Sequence, residues 1–251
     1  MTSKHGDEGP HTLALDIGGT GLKATILDSA GQMVVKRARM PTPYPCQPDI
    51  MLGALGKLIE PLPPFDRVSM GFPGVIRNGH VITAPHFGTA VWRDYPLEEA
   101  AARLFERPTR LLNDAEVQGL GIVSGQGFEV VLTLGTGLGS ALFNDGQLAP
   151  HLELAHHPIR AGKTYNDYVG EAARKAISSR KWNRRVRRMI DIVYDLLHYD
   201  VLHVGGGNSS NIKGELPANV HLASNDAGLT GGIRLWDDKV WRAVPEQKLQ
   251  Q

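Results

Sequence analysis

Cysteine is almost absent from this chain, and long apolar runs are missing. The single cysteine, Cys46, excludes an internal disulfide and a cysteine-rich zinc site, and it fits a reducing cytosol. No apolar run approaches the roughly 18 residues that a membrane-spanning helix needs. The net charge of +1 provides no overall field that would favour nucleic acid. We therefore expect a cytoplasmic protein with neither a membrane nor a nucleic acid as its partner.

Two common phosphate-binding fingerprints, the P-loop and the GxGxxG pattern, are also missing. What remains is the composition of an ordinary globular protein, with 41% hydrophobic and 21% charged residues in a chain of 251. A chain of this length buries one large core or two modest ones. The polar stretch 1–11 has no apolar signal core, and we expect it to be a disordered leader.

A short passage that occurs twice is the most informative feature of the sequence. Residues 19–28 read GTGLKATILD and residues 135–144 read GTGLGSALFN, and an apolar run precedes each copy. The pattern predicts a strand, a glycine-rich turn and a second strand. Glycines around a threonine let backbone N–H groups approach a ligand closely, and the hydroxyl adds a donor, which suits phosphate oxygens. Tight hairpins in a β-rich core are the alternative, but the matched pair favours two related half-domains that hold a phosphorylated ligand.

Hydrophobic periodicity and turn residues divide the rest of the chain into alternating strands and helices. Strands are predicted in a meander over 12–40 and at 68–71, 110–112, 130–143 and 201–204. Helices are predicted at 49–60, with Asp49 as N-cap, and at 96–106, 115–124, 167–198 and 226–235. Hairpins followed by β/α units predict an α/β protein of two lobes, and neither a TIM barrel nor a Rossmann domain.

Five short motifs carry a resemblance to a known family. They are LDIGGT at 15–20, NDA at 113–115, LTLGTG at 132–137, ELAH at 153–156 and GGG at 205–207. In this order they resemble the repressor/open-reading-frame/kinase (ROK) family of sugar kinases, and within it the polyphosphate glucokinases most closely. The resemblance implies a two-lobed actin-like ATPase or hexokinase-type fold, which is a duplicated ribonuclease H-like arrangement. Sugar and phosphoryl donor would then meet in a cleft.

The resemblance also implies how the chain is divided and what it does. We expect an N-terminal lobe over 12–113, a C-terminal lobe over 114–225, and a segment 226–251 whose helix packs back on the N-terminal lobe before the tail. The implied activity is transfer of a terminal phosphoryl group from polyphosphate or ATP, with Mg²⁺, to the 6-hydroxyl of glucose or a related hexose. Polyphosphate is the favoured donor, and a homodimer is implied by the family alone.

The candidate catalytic residue is Asp114. A sugar hydroxyl is a poor nucleophile, so it needs a base in line with the phosphorus and stabilisation of the charge on the transferring group. Asp114 follows a predicted strand and occupies the family's catalytic position, and the adjacent Asn113 would hold sugar hydroxyls. An Asn-Asp pair by itself is more typical of an ordinary helix N-cap. Its place between two phosphate loops favours catalysis.

The donor phosphates are expected to meet both glycine-rich loops and the triple glycine. The predicted donor-binding residues are Asp16, Gly18, Gly19, Thr20, Gly135, Thr136, Gly137, Gly206 and Gly207. Asp16 would orient Mg²⁺ or its bound water, because a carboxylate suits a hard cation, although an acidic residue would also close a turn here. Lys23 is as typical of a solvated strand residue as of a phosphate ligand.

On the sugar side, the resemblance implies contacts from Glu153, His156, Asn166 and Gly74. Because no cysteine lies nearby, the histidines around Glu153 do not suggest a zinc site. The sequence departs from the family pattern at three positions, where Ala155 replaces a glycine, Asn166 a second sugar-contacting glutamate and His86 an asparagine. Loss of a carboxylate at 166 removes a charge-assisted hydrogen bond worth about 1.5–3 kcal/mol. We therefore expect a relaxed or shifted hexose preference.

A strongly basic stretch extends from Arg174 to Arg188, where eight of fifteen residues are arginine or lysine. Such a strip of charge would follow a polyanion such as polyphosphate. It also matches a solvated helix face, which is the commoner case. The resemblance to polyphosphate-using kinases favours the first interpretation.

Two other classes of protein remain as alternatives. The family includes repressors, so a non-catalytic sugar-responsive regulator is one, although only about ten polar residues precede the first predicted strand. A phosphohydrolase or assembling ATPase of the same fold is the other. The Glu153–His156 pair, which suits a sugar, argues against it.

Overall fold

The computed structural model describes residues 9–223 and 227–241, and the chain divides into two units. Of the described residues, the first unit holds 9–121 and Gly228–Trp236, and the second unit holds the rest. The first unit therefore extends beyond the boundary predicted at residue 113. The reason is that the helix that begins at Asp114 packs on strands of the first unit.

Five strands form the sheet of the first unit, in the order β3-β2-β1-β4-β7. They are β1 (Thr12–Ile17), β2 (Gly21–Leu27), β3 (Ala38–Pro41), β4 (Arg67–Phe72) and β7 (Thr109–Asn113). β1, β2 and β3 form an antiparallel meander, while β4 and β7 run parallel to β1. A separate hairpin joins β5 (Ile76–Arg77) to β6 (His80–Val81). It turns through Asn78 and Gly79, whose positive φ angles are those of a tight hairpin turn.

Four helices accompany this sheet: α1 (Pro48–Ile59), α2 (Thr89–Trp92), α3 (Leu97–Phe105) and α4 (Asp114–Leu120). The N-cap of α1 is Gln47, and the predicted N-cap Asp49 lies inside the first turn, because Pro48 already fits the first helical position. The core of this unit combines aliphatic strand residues with aromatic residues, including Leu13, Leu15, Leu55, Phe72 and Trp92.

The sheet of the second unit repeats the topology of the first, in the order β10-β9-β8-β13-β14. Its strands are β8 (Phe128–Leu134), β9 (Leu138–Asn144), β10 (Gln147–Leu148), β13 (Val201–Gly205) and β14 (Val220–Leu222). The first three are antiparallel neighbours, and the last two continue parallel to β8. Each copy of the repeated passage forms the turn and second strand of a hairpin, so both predicted hairpins are confirmed.

The helix predicted over 167–198 is wrong, because three helices occupy this stretch. They are α5 (Tyr165–Val169), α6 (Glu171–Ala176) and α7 (Ser179–Leu197), and a hairpin of β11 (Pro158–Arg160) and β12 (Lys163–Thr164) precedes them. Gly170 ends α5 in extended backbone, and a Cβ there would lie 2.8 Å from the Thr136 carbonyl oxygen. Ile177 is also extended, and the Ser178 side chain caps α7. The buried face of α7 is formed by Trp182, Val186, Met189, Ile190 and Val193.

The end of the described chain is broken into short elements. α8 (Ala227–Thr230) continues as a 3₁₀ helix at Gly231–Trp236, and α9 (Asp238–Trp241) follows. These replace the continuous helix predicted over 226–235, since Gly231 and Gly232 have low helix propensity. No helix within the described ranges has both the length and the apolar composition needed to cross a membrane.

The 3₁₀ segment is packed tightly into the first unit. A Cβ at Gly231 would lie 2.0 Å from the Val117 carbonyl oxygen, so only glycine lets the segment approach α4 this closely. The Ser69 hydroxyl donates to the Gly232 carbonyl (2.7 Å) and accepts from the Trp236 indole N–H (2.9 Å). Strand β4 is therefore bonded to a segment far along the chain.

Glu129 in β8 is fully buried and accepts hydrogen bonds from the Ser124 N–H (2.9 Å) and the Gly125 N–H (2.8 Å). The His203 ring lies 3.1 Å away. Burial raises the pKa of Glu129, but these hydrogen bonds lower it more, so the pKa falls below the ordinary value of 4.5. A depressed pKa stabilises the fold above pH 4.5 and loses this effect as the pH falls through the folded-state value.

We therefore expect the free energy of unfolding to decline below about pH 4.5. Glu129→Gln should lower it by about 1–3 kcal/mol at neutral pH, because an amide cannot accept all of these bonds. The gap to the unsubstituted protein should narrow as the pH falls. Chemical denaturation across a pH series measures this, with the exposed Glu60→Gln as control. A gap that stays constant to about pH 3 would contradict the expectation.

Candidate functional site

Each glycine-rich loop turns on its own backbone and leaves two N–H groups for a ligand. In the first loop the Gly18 N–H donates to the Gly21 carbonyl (3.0 Å), and in the second the Gly135 N–H donates to the Gly137 carbonyl (2.9 Å). Among the described residues, no acceptor meets four further N–H groups, those of Gly19, Thr20, Thr136 and Gly137. Neighbouring N–H groups in a turn suit phosphate oxygens, so both loops have the donors that the prediction requires.

The carbonyl groups of the first loop are bound within the first unit. The Thr42 hydroxyl donates to the Gly18 carbonyl (2.7 Å), and the Tyr44 hydroxyl donates to the Gly19 carbonyl. The ring of His86 packs on the same loop, since a Cβ at Gly19 would lie 3.2 Å from its Cγ. The loop is therefore held through its carbonyl side, which leaves the N–H side for a ligand.

Asp16 lies one residue before the end of β1, close to this loop, and is paired across the hairpin with Lys23. The Lys23 Nζ donates to Asp16 Oδ2 at 2.6 Å, and the two residues are opposite each other in the register of β1 and β2. Lys23 is therefore more than a solvated strand residue, because it places a cation next to the first loop. The described chain holds no group of three or more histidine, cysteine, aspartate or glutamate residues that could bind a metal ion.

Asn113 is the N-cap of α4, and both the oxygen and the nitrogen of its side-chain amide form hydrogen bonds. Its side-chain oxygen accepts from the Ala115 N–H (2.9 Å), and its side-chain nitrogen donates to the Gly74 carbonyl (3.0 Å). Glu116 completes a capping box by accepting from the Asn113 N–H at 3.0 Å. The Asn113 amide therefore holds the start of α4 next to Gly74. A contact between Asn113 and a sugar stays a prediction.

Asp114 is the first residue of α4 and lies at the carboxyl end of β7. Because β1, β4 and β7 are parallel, Asp16 near the end of β1 and Asp114 directly after β7 lie at the same carboxyl edge of one sheet. Ligands of parallel α/β sheets bind beyond this edge. Gly71 lets α4 begin close to β4, since a Cβ there would lie 3.3 Å from the Asp114 Cα.

Gly74 is fixed between two loops on the same side of the first unit. A Cβ at Gly74 would lie 1.9 Å from the Thr83 carbonyl oxygen, and the Gly74 N–H donates to the Phe72 carbonyl at 2.9 Å. Its own carbonyl accepts from Asn113. Gly74 thus contributes close backbone packing next to Asn113 and Asp114.

Asn166 and Asn208 hold the second loop within the second unit. The Asn166 side-chain oxygen accepts from the Leu138 N–H (2.7 Å), and a Cβ at Gly137 would lie 2.5 Å from that oxygen. The Asn208 side-chain nitrogen donates to the Gly135 carbonyl at 3.0 Å. The side-chain nitrogen of Asn166 meets no acceptor in the described part of the chain and is left for a ligand hydroxyl.

The triple glycine lies against the same loop. Gly206 has a φ of +83°, and a Cβ there would lie 2.4 Å from the Leu134 carbonyl oxygen. A Cβ at Gly207 would meet nothing within 4 Å, so this glycine faces open space. The Glu171 N–H at the start of α6 also donates to the Gly135 carbonyl at 3.1 Å. The structure thus brings all five predicted donor residues of the second unit together.

Glu153 and His156 lie on the loop between β10 and β11. Glu153 Oε1 accepts from the Ala155 N–H (3.0 Å), and Oε2 lies 3.6 Å from the His151 Nε2. Burial raises the pKa of Glu153, but these contacts and the charge of His156 lower it more, so it lies below the ordinary value of 4.5. With 34% of its side chain exposed, this carboxylate is ionised at neutral pH and within reach of hydroxyl donors.

A family model decides the assignment, because the model of the ROK family matches residues 12–151. The chain belongs to the ROK family. This match covers more than half of the chain and includes the first loop, the Asn113–Asp114 pair and the second loop.

Relatives of this ROK chain include sugar kinases with different substrates in their names. It is 27% identical over 237 residues to the polyphosphate glucokinase of Mycobacterium tuberculosis, which covers 88% of this chain and 89% of that protein. It is 32% identical over 142 residues to an N-acetylmannosamine kinase of Escherichia coli, which covers 55% of this chain and 48% of that protein.

A solved relative supports the fold of this ROK chain. The inorganic polyphosphate/ATP-glucomannokinase of Arthrobacter sp. strain KM is 29% identical, with a TM-score of 0.80 over 90% of this chain and 97% of that one. Together with the two sheets of equal strand order, this confirms the predicted α/β, two-lobed actin-like, hexokinase-type fold.

The departures from the ROK pattern have local explanations. Ala155 replaces a glycine without strain, since its φ is not positive, and its N–H and carbonyl bond to Glu153 and to the Asn166 N–H. His86 packs on the first loop, where its ring fills the space above Gly19. Asn166 uses its amide oxygen to hold the second loop.

Sequence reasoning left Lys23 undecided and missed Asn208. The pairing of Lys23 follows from counting outward from the hairpin turn, because Ile17 pairs with Leu22 and therefore Asp16 with Lys23. Asn208 directly follows the triple glycine, and asparagine in such turns often bonds neighbouring backbone.

Proposed function

We propose that this ROK protein is a hexose kinase that transfers a terminal phosphoryl group to the 6-hydroxyl of glucose or a related hexose, with Asp114 as general base. The observation that carries the proposal is the position of Asp114. It begins α4 at the carboxyl edge of the first sheet, the same edge at which Asp16 and a loop with two available N–H donors lie. The named activities of the relatives support the class of reaction.

In this mechanism Asp114 accepts the proton of the 6-hydroxyl as the hydroxyl oxygen attacks the terminal phosphorus of the donor. The bridging P–O bond of the donor breaks, and the donor leaves one phosphate shorter, as ADP when the donor is ATP. Asn113 mainly orients Asp114, because its side-chain amide bonds both the start of α4 and the Gly74 carbonyl. The ionised Glu153 accepts hydrogen bonds from sugar hydroxyls, and His156 joins it. Asn166 donates from its side-chain nitrogen.

The donor phosphates bind the N–H groups of the two glycine-rich loops and the triple glycine. Lys23 adds positive charge beside the first loop. Asp16 would hold Mg²⁺ through one carboxylate oxygen, because its Oδ2 is already bound by Lys23. One oxygen suits this ion, since Mg²⁺ in kinases is bound by one or two carboxylates together with phosphate oxygens and water. When bound, Mg²⁺ supplies charge neutralisation on the donor.

We further propose polyphosphate as the favoured donor, with ATP also accepted, and a cytoplasmic homodimer as the working form. The donors named for the Mycobacterium tuberculosis and Arthrobacter relatives support the first part. The single cysteine supports a reducing compartment. The dimer rests on the family resemblance.

The test is the initial rate of sugar 6-phosphate formation with Mg²⁺, crossing polyphosphate and ATP with glucose, mannose and N-acetylated hexosamines. We expect product with both donors, and kcat/KM for glucose and mannose within about tenfold of each other. The reason is that Asn166 lacks the carboxylate bond, worth about 1.5–3 kcal/mol, that would fix one hydroxyl pattern.

Each other outcome has a defined meaning. Strict glucose selectivity with a low KM would contradict the relaxed hexose preference alone. Phosphate release without sugar would identify a phosphohydrolase. Sugar binding without product, with the protein folded, would identify a regulator and overturn the proposed kinase.

A further inference from the structure

A groove rich in positive charge lies in the second unit between α7 and the β11–β12 hairpin. It has a volume of about 520 Å³. Seven cationic residues line it: Arg160, Lys163, Lys181, Arg184, Arg185, Arg187 and Arg188. Among its described lining residues, Asp191 is the one acidic residue. The groove that these seven residues line is called the basic groove below.

The charge of the basic groove is not cancelled by the protein. Arg185 donates to the Tyr168 carbonyl (3.2 Å) and Arg187 to the Lys213 carbonyl, and both acceptors are neutral. Within the described ranges, the side chains of four of the seven form no hydrogen bond or ion pair: Arg160, Lys181, Arg184 and Arg188. All four are exposed. The groove therefore presents a net positive field to solvent.

The arrangement is unfavourable for α7 itself. Lys181, Arg184, Arg185 and Arg188 follow a spacing of three, four and seven residues, which puts like charges next to one another on one face of the helix. The first turn holds cations and no acidic residue, against the direction of the helix dipole. In the neighbouring α6 a cation is paired with an acidic residue of the first turn, since Arg174 lies 2.8 Å from Glu171. A bound polyanion would offset these repulsions in α7.

The basic groove is connected to the second glycine-rich loop through α5. At the start of α5, Asn166 bonds to Leu138 beside that loop. Two residues later, Tyr168 lines the groove. At a rise of about 1.5 Å per residue, α5 spans well under 10 Å. A chain of several phosphates can therefore extend from the loop to the groove. A single triphosphate bound at the loop has few phosphate groups left to reach the groove.

We propose that the basic groove binds the distal phosphates of a polyphosphate chain whose terminal phosphate lies at the second glycine-rich loop. The inference rests on the proposed function for the identity of the donor. A linear inorganic polyanion fits better than a nucleic acid, because single-stranded nucleic acids need aromatic faces for base stacking. The aromatic ring in the described lining, Tyr168, is covered by the Arg185 guanidinium at 4.8 Å.

The test compares Arg184→Gln/Arg188→Gln with Lys36→Gln/Lys57→Gln, a control that removes the same charge from exposed positions of the first unit. Direct binding of long-chain polyphosphate, tripolyphosphate and ATP is titrated over a salt series without sugar. We expect the groove variant to bind long-chain polyphosphate about tenfold or more weakly, with a salt slope shallower by about two. Binding of tripolyphosphate and ATP should change less than twofold, and the control should match the unsubstituted protein.

Several results would overturn the proposal. One is equal weakening in the groove variant and the control, which indicates a general field effect. Another is equal loss of ATP and long-chain polyphosphate. A third is a single-stranded oligonucleotide that binds as tightly and loses affinity in the same variant. Because binding is measured without turnover, polyphosphate binding without sugar phosphorylation would refute the kinase and leave the groove standing.

Discussion

Asp114→Asn should lower kcat for sugar phosphorylation by about 10²–10⁴-fold, the usual contribution of a positioned general base. Asparagine keeps the size of the side chain and the oxygen that accepts from the Ala115 N–H (2.9 Å), so α4 should still form. The sugar KM should change far less than kcat, because the substitution removes a proton acceptor and leaves the other sugar contacts in place. Steady-state kinetics with either donor measure both constants.

The matched control is Asp195→Asn, an exposed aspartate on α7. It should leave kcat unchanged, and circular dichroism should show both variants folded. A kcat for Asp114→Asn within threefold of the unsubstituted protein would remove Asp114 from the catalytic role. A rise in KM with unchanged kcat would instead make it a sugar-binding residue.

Gly74→Ala should lower the free energy of unfolding by about 3 kcal/mol, because the new Cβ would lie 1.9 Å from the Thr83 carbonyl oxygen and backbone must move. In a chain of this size that corresponds to a Tm lower by roughly 6–12 °C. The shift should also disturb the hydrogen bond from Asn113 to the Gly74 carbonyl. We therefore expect weaker sugar binding along with lower stability.

Gly53→Ala provides the control for adding one methyl group. A Cβ at Gly53 would meet nothing within 4 Å, and the residue lies inside α1. Alanine there should raise the free energy of unfolding by about 1 kcal/mol, since glycine is the poorer helix former. Thermal denaturation of both variants makes the comparison. Equal Tm values for the two variants would show that the backbone at Thr83 moves away from the new Cβ at little cost in free energy.

The parts of the fold that local sequence determines were predictable. Both glycine-rich hairpins follow from alternating apolar residues around a turn, and α1 follows from helical spacing after Pro48. The three helices that begin at residue 165 and follow it, α5 to α7, were not separable from sequence. Gly170 breaks the run because it packs against the Thr136 carbonyl, which is a contact between segments far apart along the chain.

The site shows the same division between local and tertiary information. The positions of Asp16 and Asp114 at strand ends follow from the sequence pattern. The roles of Asn113 and Asn166 do not, because each amide bonds to backbone of a distant segment, at Gly74 and at Leu138. An amide at either position is equally compatible with ligand binding until those partners are known.

The 3₁₀ segment Gly231–Trp236 has a consequence for biosynthesis. Ser69 in β4 bonds to Gly232 and Trp236, and Gly231 fits against α4, so the first unit contains a late piece of the chain. On a ribosome, which releases the chain from its N-terminus, the early residues of this unit emerge long before the piece that completes them. Residues 122–227, which make up most of the second unit, are translated in between. Completion of the first unit therefore has to wait until most of the second unit has been made, although most residues of the first unit are made first.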